Sequence, residues 1–251
     1  MAGVIDLIPP EMWGLDLVIA ATTVLAAGLI RGFSGFGSSL VNAPMLSLLW
    51  GPTVGVPIAA LVEFVPAVQL TPRAIPIAQW RTILIMGVPA LILVPIGMWL
   101  LITLPNEMIR RFVAAVVLGL VAVMWSGWRY RGKRTVALSL GVGALSGLLS
   151  GTTGVGGPPV ILYLMSGADD AAVIRANMIG FFTIVVIGMA VTFAFGGLFG
   201  PQVLWRTVLL AVPFIVGIFA GARLFPLASQ RTFRNIALTF LAASSSYVLF
   251  V

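Results

Sequence analysis

A chain without cysteine or histidine offers few groups that could do chemistry, and those it has gather at two places. Gly32-Phe33-Ser34-Gly35-Phe36-Gly37-Ser38-Ser39 and Gly151-Thr152-Thr153-Gly154-Val155-Gly156-Gly157 are both rich in glycine and small hydroxyl residues, and each lies between two apolar runs. A glycine cluster in that setting reads as an interruption of a membrane helix, where backbone N–H groups are freed to meet a ligand. The half-helix after such a break starts with unpaired N–H groups and the positive end of its dipole. Two such starts, near Ser38 and Gly157, would form an anion site where they meet. The hydroxyls of Ser34, Ser38, Ser39, Thr152 and Thr153 and the open backbone at Gly35, Gly37, Gly154, Gly156 and Gly157 suit oxyanion oxygens. The competing reading is that the glycines only let helices pack closely.

Glu63 is the single acidic residue near the centre of an apolar run. A charge at the bilayer centre costs about 2.5 to 3.5 kcal/mol on insertion scales, so such residues usually serve function. Two roles are open to it: proton coupling, or a static ion pair with Arg31 or Arg175 that ties segments together. Arg31 and Arg175 could each fork onto the paired oxygens of an anion. Equally, Arg31 reads as the flanking charge of the first helix and Arg175 as a loop charge near Asp169 and Asp170. Asn42 and Asn177 suit either substrate contact or interhelical hydrogen bonds.

Other chemistries are excluded. Gly32, Gly35 and Gly37 do not follow the G-x-G-x-x-G spacing, and no lysine follows as in a phosphate-binding loop. The usual metal and haem ligands and the usual nucleophile–base pairs are missing, so no metal, no cofactor and no enzymatic activity is expected.

The elements that must position these groups are membrane helices. Of 251 residues, 60% are hydrophobic and only 8% charged, with mean hydropathy +1.14; a soluble domain carries roughly a quarter charged residues. At about 20 apolar residues per span, the length accommodates eight to ten short segments in the lipid bilayer. A net charge of +7 would point to nucleic acid on a soluble protein. Here the basic residues sit at segment ends, with Arg129, Arg131, Lys133 and Arg134 the densest group. That placement reports loops facing the cytoplasm, and no nucleic-acid partner is expected. Asp6, Glu11 and Asp16 precede any basic residue, so a cleavable signal is not expected.

Apolar runs at 15–30, 40–50, 54–70, 82–104 and 112–128 precede the basic stretch; runs at 136–150, 160–165 and 178–199, and one opened by Trp205-Arg206-Thr207, follow it. Pro89 and Pro95 are expected kinks. Gly28, Leu29, Gly32, Gly35 and Gly37 recur as Gly147, Leu148, Gly151, Gly154 and Gly156 at a constant offset of 119 residues (147 − 28). Trp80-Arg81-Thr82 recurs as Trp205-Arg206-Thr207, and Pro89 and Gly97 as Pro213 and Gly221. The expected fold class is therefore an all-α polytopic membrane protein of two homologous repeats, residues 1–128 and 135–251, joined by a basic cytoplasmic linker, 129–134. Each repeat has four to five membrane segments and one glycine-rich helix break. Five crossings per half would invert the repeats and put nine basic residues inside against three outside; four crossings give seven against five. The positive-inside rule favours the inverted arrangement.

Gly35-Phe36-Gly37-Ser38-Ser39-Leu40-Val41-Asn42-Ala43-Pro44 and Gly151-Thr152-Thr153-Gly154-Val155-Gly156-Gly157-Pro158-Pro159-Val160-Ile161-Leu162-Tyr163, with Arg175-Ala176-Asn177, resemble the TauE/SafE family, also called the toluene sulfonate uptake permeases. The resemblance spans nearly the whole chain; Ser38 and Ser39 stand where many relatives have further glycines. It implies a multi-pass transporter of the bacterial inner membrane that moves small sulfur-containing anions, sulfite or organosulfonates, in either direction. The expected mechanism is secondary transport by alternating access. With no nucleotide-binding segment, energy would come from a proton or sodium gradient or from a separate subunit, and a homodimer is left open. The alternatives are a passive anion channel or facilitator, and a non-transporting membrane scaffold.

Overall fold

The computed structural model describes residues 14–34, 37–126, 132, 134–166, 169–224 and 239, apart from the side chains of 33, 34, 124, 171 and 224. Gly35, most of the basic linker and nearly all of the chain beyond 224 lie outside the described residues. Within them every regular element is an α-helix: α1 (Leu15–Ser34), α2 (Ser38–Trp50), α3 (Pro52–Val62), α4 (Phe64–Ala74), α5 (Trp80–Thr103), α6 (Asn106–Trp125), α7 (Val136–Thr153), α8 (Gly157–Leu164), α9 (Ala171–Phe195) and α10 (Pro201–Leu224).

Among the described residues, six stretches are long and apolar enough to cross a membrane: α1, α3 with α4, α5, α7, α9 and α10. At 1.5 Å per residue, the 13 residues of α2 and the 8 of α8 fall short of a hydrocarbon layer about 30 Å thick. The outward faces agree with a lipid solvent. Leu84, Val88, Ile92 and Ile96 along α5, and Val208, Val212 and Val216 along α10, are exposed at every fourth position, which is a continuous apolar stripe on each helix.

Apolar runs mark helix interiors better than helix ends. α6 begins at Asn106 and α9 at Ala171, each a turn or two before its run. In α6 the polar start is supported by Glu107, which pairs with Arg111 at 2.9 Å and with Arg110 at 3.8 Å, the i,i+4 and i,i+3 spacings that suit a helix surface. α5 continues through Pro89 and Pro95. The interruption falls instead at Glu63, between α3 and α4. Pro66 has no N–H to give the Val62 carbonyl, so the helical ladder lapses one residue later and resumes.

Glycine fixes how the long helices meet. α1 lies on α10 and α7 on α5 in close backbone contact. A Cβ on Gly28 or Gly32 would stand 2.5 Å from Phe214 O or 2.1 Å from Ile218 O, and one on Gly217 or Gly221 would stand 2.4 Å from Leu25 O or 2.2 Å from Leu29 O. At the other crossing, Gly143, Gly147 and Gly151 approach the carbonyls of Met86, Ala90 and Val94 to 2.1, 2.1 and 2.2 Å on the same measure. Contacts advance together along both chains, so each pair runs parallel.

These crossings leave no room for a methyl group, and the clash is with backbone, which cannot rotate away. Gly147→Ala and Gly28→Ala should therefore destabilise the protein at or above the top of the range of about 1–3 kcal/mol seen for overpacking. Gly141→Ala, which meets nothing within 4 Å, should be neutral or stabilise by up to about 1 kcal/mol. Thermal unfolding in detergent, followed by intrinsic fluorescence, measures the difference.

Candidate functional site

α1 stops at Ser34 and α2 starts at Ser38, with Gly37 at its N-cap in the left-handed region, φ +95°. α7 stops at Thr153, Gly154 takes φ +73° and returns its N–H to Ser150 O at 3.0 Å, and α8 starts at Gly157. Only glycine adopts those φ values without strain. Both helix starts border one cavity of ≈ 60 Å³, lined by Gly37 and Ser39 from one side and by Gly154, Gly156 and Gly157 from the other. A water needs roughly 10–15 Å³, so about four or five heavy atoms fit. Leu70, Phe182, Val186 and Met189 form an apolar wall.

The two starts are unequal donors. The first turn of α2 carries N–H groups at Ser38 and Ser39, whereas Pro158 and Pro159 remove two of the donors in the first turn of α8. Gly156 is held from behind: Ser146 Oγ donates to its carbonyl at 2.6 Å, and a Cβ there would lie 2.3 Å from Ser146 O and 2.0 Å from Ser150 Oγ.

Arg31, in the last turn of α1, and Glu63, at the interruption between α3 and α4, are the charged residues of the lining. They pair at 3.3 Å between Arg31 Nη1 and Glu63 Oε2, with side chains only 12% and 9% exposed. Ser38, fully buried, donates its hydroxyl to Glu63 Oε1. Arg31 Nε is buried without an acceptor. Among the three groups Glu63 is the acceptor, and the guanidinium and hydroxyl converge on it as they would on an oxyanion.

Of the residues singled out from the sequence, Arg31, Gly37, Ser39, Gly154, Gly156, Gly157 and Glu63 line this cavity, and Ser38 reaches it through Glu63. Others are placed elsewhere. Thr152 donates to Gly97 O and Leu148 O, and Thr153 donates to Leu149 O and accepts from Val155 N. Both hydroxyls serve the end of α7. Asn177 accepts from Gln79 N at 2.7 Å and donates to Gln79 Oε1 at 3.3 Å, fastening α9 to the start of α5. Arg175 is exposed. Asn42 is fully buried, and neither amide atom has a partner. Gly35 and the Ser34 side chain lie outside the described residues. The lining also includes Ser150, Pro66, Ile179, Phe182 and Thr183. Ser150 adjoins the second glycine cluster, where its hydroxyl could have drawn notice. α9 carries no polar signal at this point except Thr183, whose hydroxyl lies 2.6 Å from that of Thr71 on α4.

Helices that cross a membrane, a cavity where two helix starts meet, and an arginine within it define a multi-pass membrane protein of the transporter class. The sequence model of the sulfite exporter TauE/SafE family matches residues 20–248, and the chain belongs to that family of membrane transporters. No match was found among curated proteins or among solved structures.

The placements of Asn177 and Arg175 predict opposite outcomes. Asn177→Ala leaves the Gln79 N–H without its acceptor, and a loss of about 1–3 kcal/mol is expected. Arg175→Ala should change stability by no more than about 0.5 kcal/mol. Denaturant or thermal unfolding of the two variants against the parent protein tests both.

Proposed function

We propose that the chain is a secondary transporter of small sulfur-containing anions, sulfite or a short organosulfonate, and that the anion is held in the cavity between the starts of α2 and α8. The observation that carries this reading is that one cavity is bordered at once by both helix starts and by Arg31, in a member of the TauE/SafE family. Unpaired N–H groups and the positive dipole ends favour an anion, and space for about four or five heavy atoms matches sulfite or the smallest sulfonates. An organic substituent would lie against the apolar wall of α9.

The crossings of α1 on α10 and of α7 on α5 fit a duplicated unit, and the arrangement proposed is two inverted repeats whose glycine-rich breaks form the centre. In such an arrangement one half rocks against the other about a fixed site and exposes it alternately to the two sides. The setting proposed is the bacterial inner membrane, with the basic linker in the cytoplasm. Neither a sodium site nor a dimer contact has support among the described residues, and neither is part of the proposal.

Two measurements test it. In proteoliposomes under an imposed ion gradient, labelled sulfite or methanesulfonate should reach an internal level above equilibrium. Flux that never exceeds equilibrium under any gradient selects a passive channel, and no flux at all with intact folding selects a scaffold. Gly157→Ala then tests the location. Its Cβ would meet Phe182 Cζ at 3.4 Å, an ordinary contact, so the fold should tolerate it while the cavity narrows. Transport of the larger sulfonates should fall by about tenfold, a change of about 1.4 kcal/mol in binding, with sulfite much less affected.

A further inference from the structure

The cavity contains its own anion. Among the described residues that line it, Arg31 and Glu63 alone are charged, so the lining is neutral when both are ionised. The guanidinium and the Ser38 hydroxyl, the strongest donors at the site, are both committed to the Glu63 carboxylate. A second anion placed beside this pair would make the enclosure net negative, in surroundings where little water screens it and the wall is apolar. Arg31 still has a buried Nε donor with no acceptor, so the fork can take an oxyanion if the carboxylate yields.

Resting on the transporter reading above, we infer that Glu63 occupies the donors the substrate anion uses, and that the anion binds as Glu63 takes up one proton. Protonation converts Glu63 from a carboxylate that accepts from Ser38 and pairs with Arg31 into a neutral group with a donor of its own. It frees Arg31 and Ser38 for the incoming oxygens and restores the neutrality of the cavity. A monoanion and its proton then move as an electroneutral pair, which gives the gradient its means of driving transport.

The other charged groups on the elements around α3 and α4 do not offer an alternative. Asp16 on α1, Arg73 on α4, Arg81 on α5, Glu107, Arg110 and Arg111 on α6, Arg175 on α9, and Arg206 and Arg223 on α10 are all absent from the lining. Ser150 on α7 and Thr183 on α9 face the cavity as neutral hydroxyls. α8 contributes no titratable group to it. The sign follows directly: a proton taken up on binding makes affinity fall by about tenfold per pH unit once the free carboxyl is ionised.

The test uses methanesulfonate, which keeps one charge throughout, with the full-length protein in detergent. Binding is measured by calorimetry between about pH 5 and pH 8, and proton uptake is followed with a dye in weak buffer. About one proton per bound anion is expected in the wild type at the upper end of the window, with affinity falling as pH rises. Glu63→Gln, which retains the hydrogen-bonding shape of the protonated acid, should bind with no proton uptake and a flat pH profile. Its affinity at about pH 8 should exceed that of the wild type by at least tenfold. Binding by the wild type without proton uptake, or a pH profile unchanged in Glu63→Gln, overturns the exchange and leaves the transporter reading standing. Failure of methanesulfonate, sulfite and sulfoacetate to bind either protein at any pH overturns both. Should Glu63→Gln not fold, the proton count on the wild type decides alone.

Discussion

A helix that stops within a membrane protein leaves backbone N–H and C=O groups that lipid cannot satisfy, and much of this structure follows from enclosing two such ends. α1 and α7, the helices that stop, are the two clasped at glycine crossings by α10 and α5. Those contacts bring backbone against backbone, shield the helix termini from the outside and set them on a shared cavity. Side chains then satisfy what remains. Ser146 holds the Gly156 carbonyl, Thr153 accepts from Val155 N, and Thr152 reaches across the crossing to Gly97 O. The hydroxyls around the second helix end are mostly engaged in keeping the chain in place there, which leaves the start of α2 as the better supplied donor.

The same enclosure makes the Arg31–Glu63 pair tolerable. Breaking a buried pair by removing one partner costs about 3 to 5 kcal/mol, because the other charge is left without compensation. Here the carboxylate sits where Pro66 interrupts its own helix, accepts from Ser38 and pairs with Arg31. Three separate stretches of the first half, the end of α1, the start of α2 and the α3–α4 interruption, therefore converge on one carboxylate.

The sequence made the class of fold plain because composition and apolar runs depend on the solvent, and the solvent here is lipid. Gly37, where α2 starts, and Gly154, where α7 ends, take φ values that other residues avoid. The sequence was less able to separate the glycines by task. Gly28 and Gly32, like Gly143, Gly147 and Gly151, recur every four residues along one helix face, the spacing of a packing seam, whereas Gly154, Gly156 and Gly157 crowd within a single turn. Both readings of the clusters, close packing and interruption, apply to different members of the same motif. Which polar side chains reach the cavity was illegible for a different reason. Thr152 and Ser150 are near neighbours on one helix, yet one turns to the α5 crossing and the other to the cavity, and only the crossing decides which.

The far ends of the short helices complete the electrostatics. α2 ends at Trp50, whose ring lies under the Arg206 guanidinium at 4.3 Å. α8 ends at Leu164, whose carbonyl accepts from Arg134, and the same guanidinium lies 5.6 Å from the Tyr163 ring and pairs with Asp169. A cation at a helix C-terminus compensates the negative end of the dipole. Both short helices thus have that end matched by an arginine, while their positive ends meet at the cavity with one carboxylate between them. Since helix-terminal effects fade within a turn, the eight residues of α8 are enough to keep its two ends distinct. The cavity is biased towards negative charge by backbone as well as by Arg31, and Glu63 is the group that answers that bias.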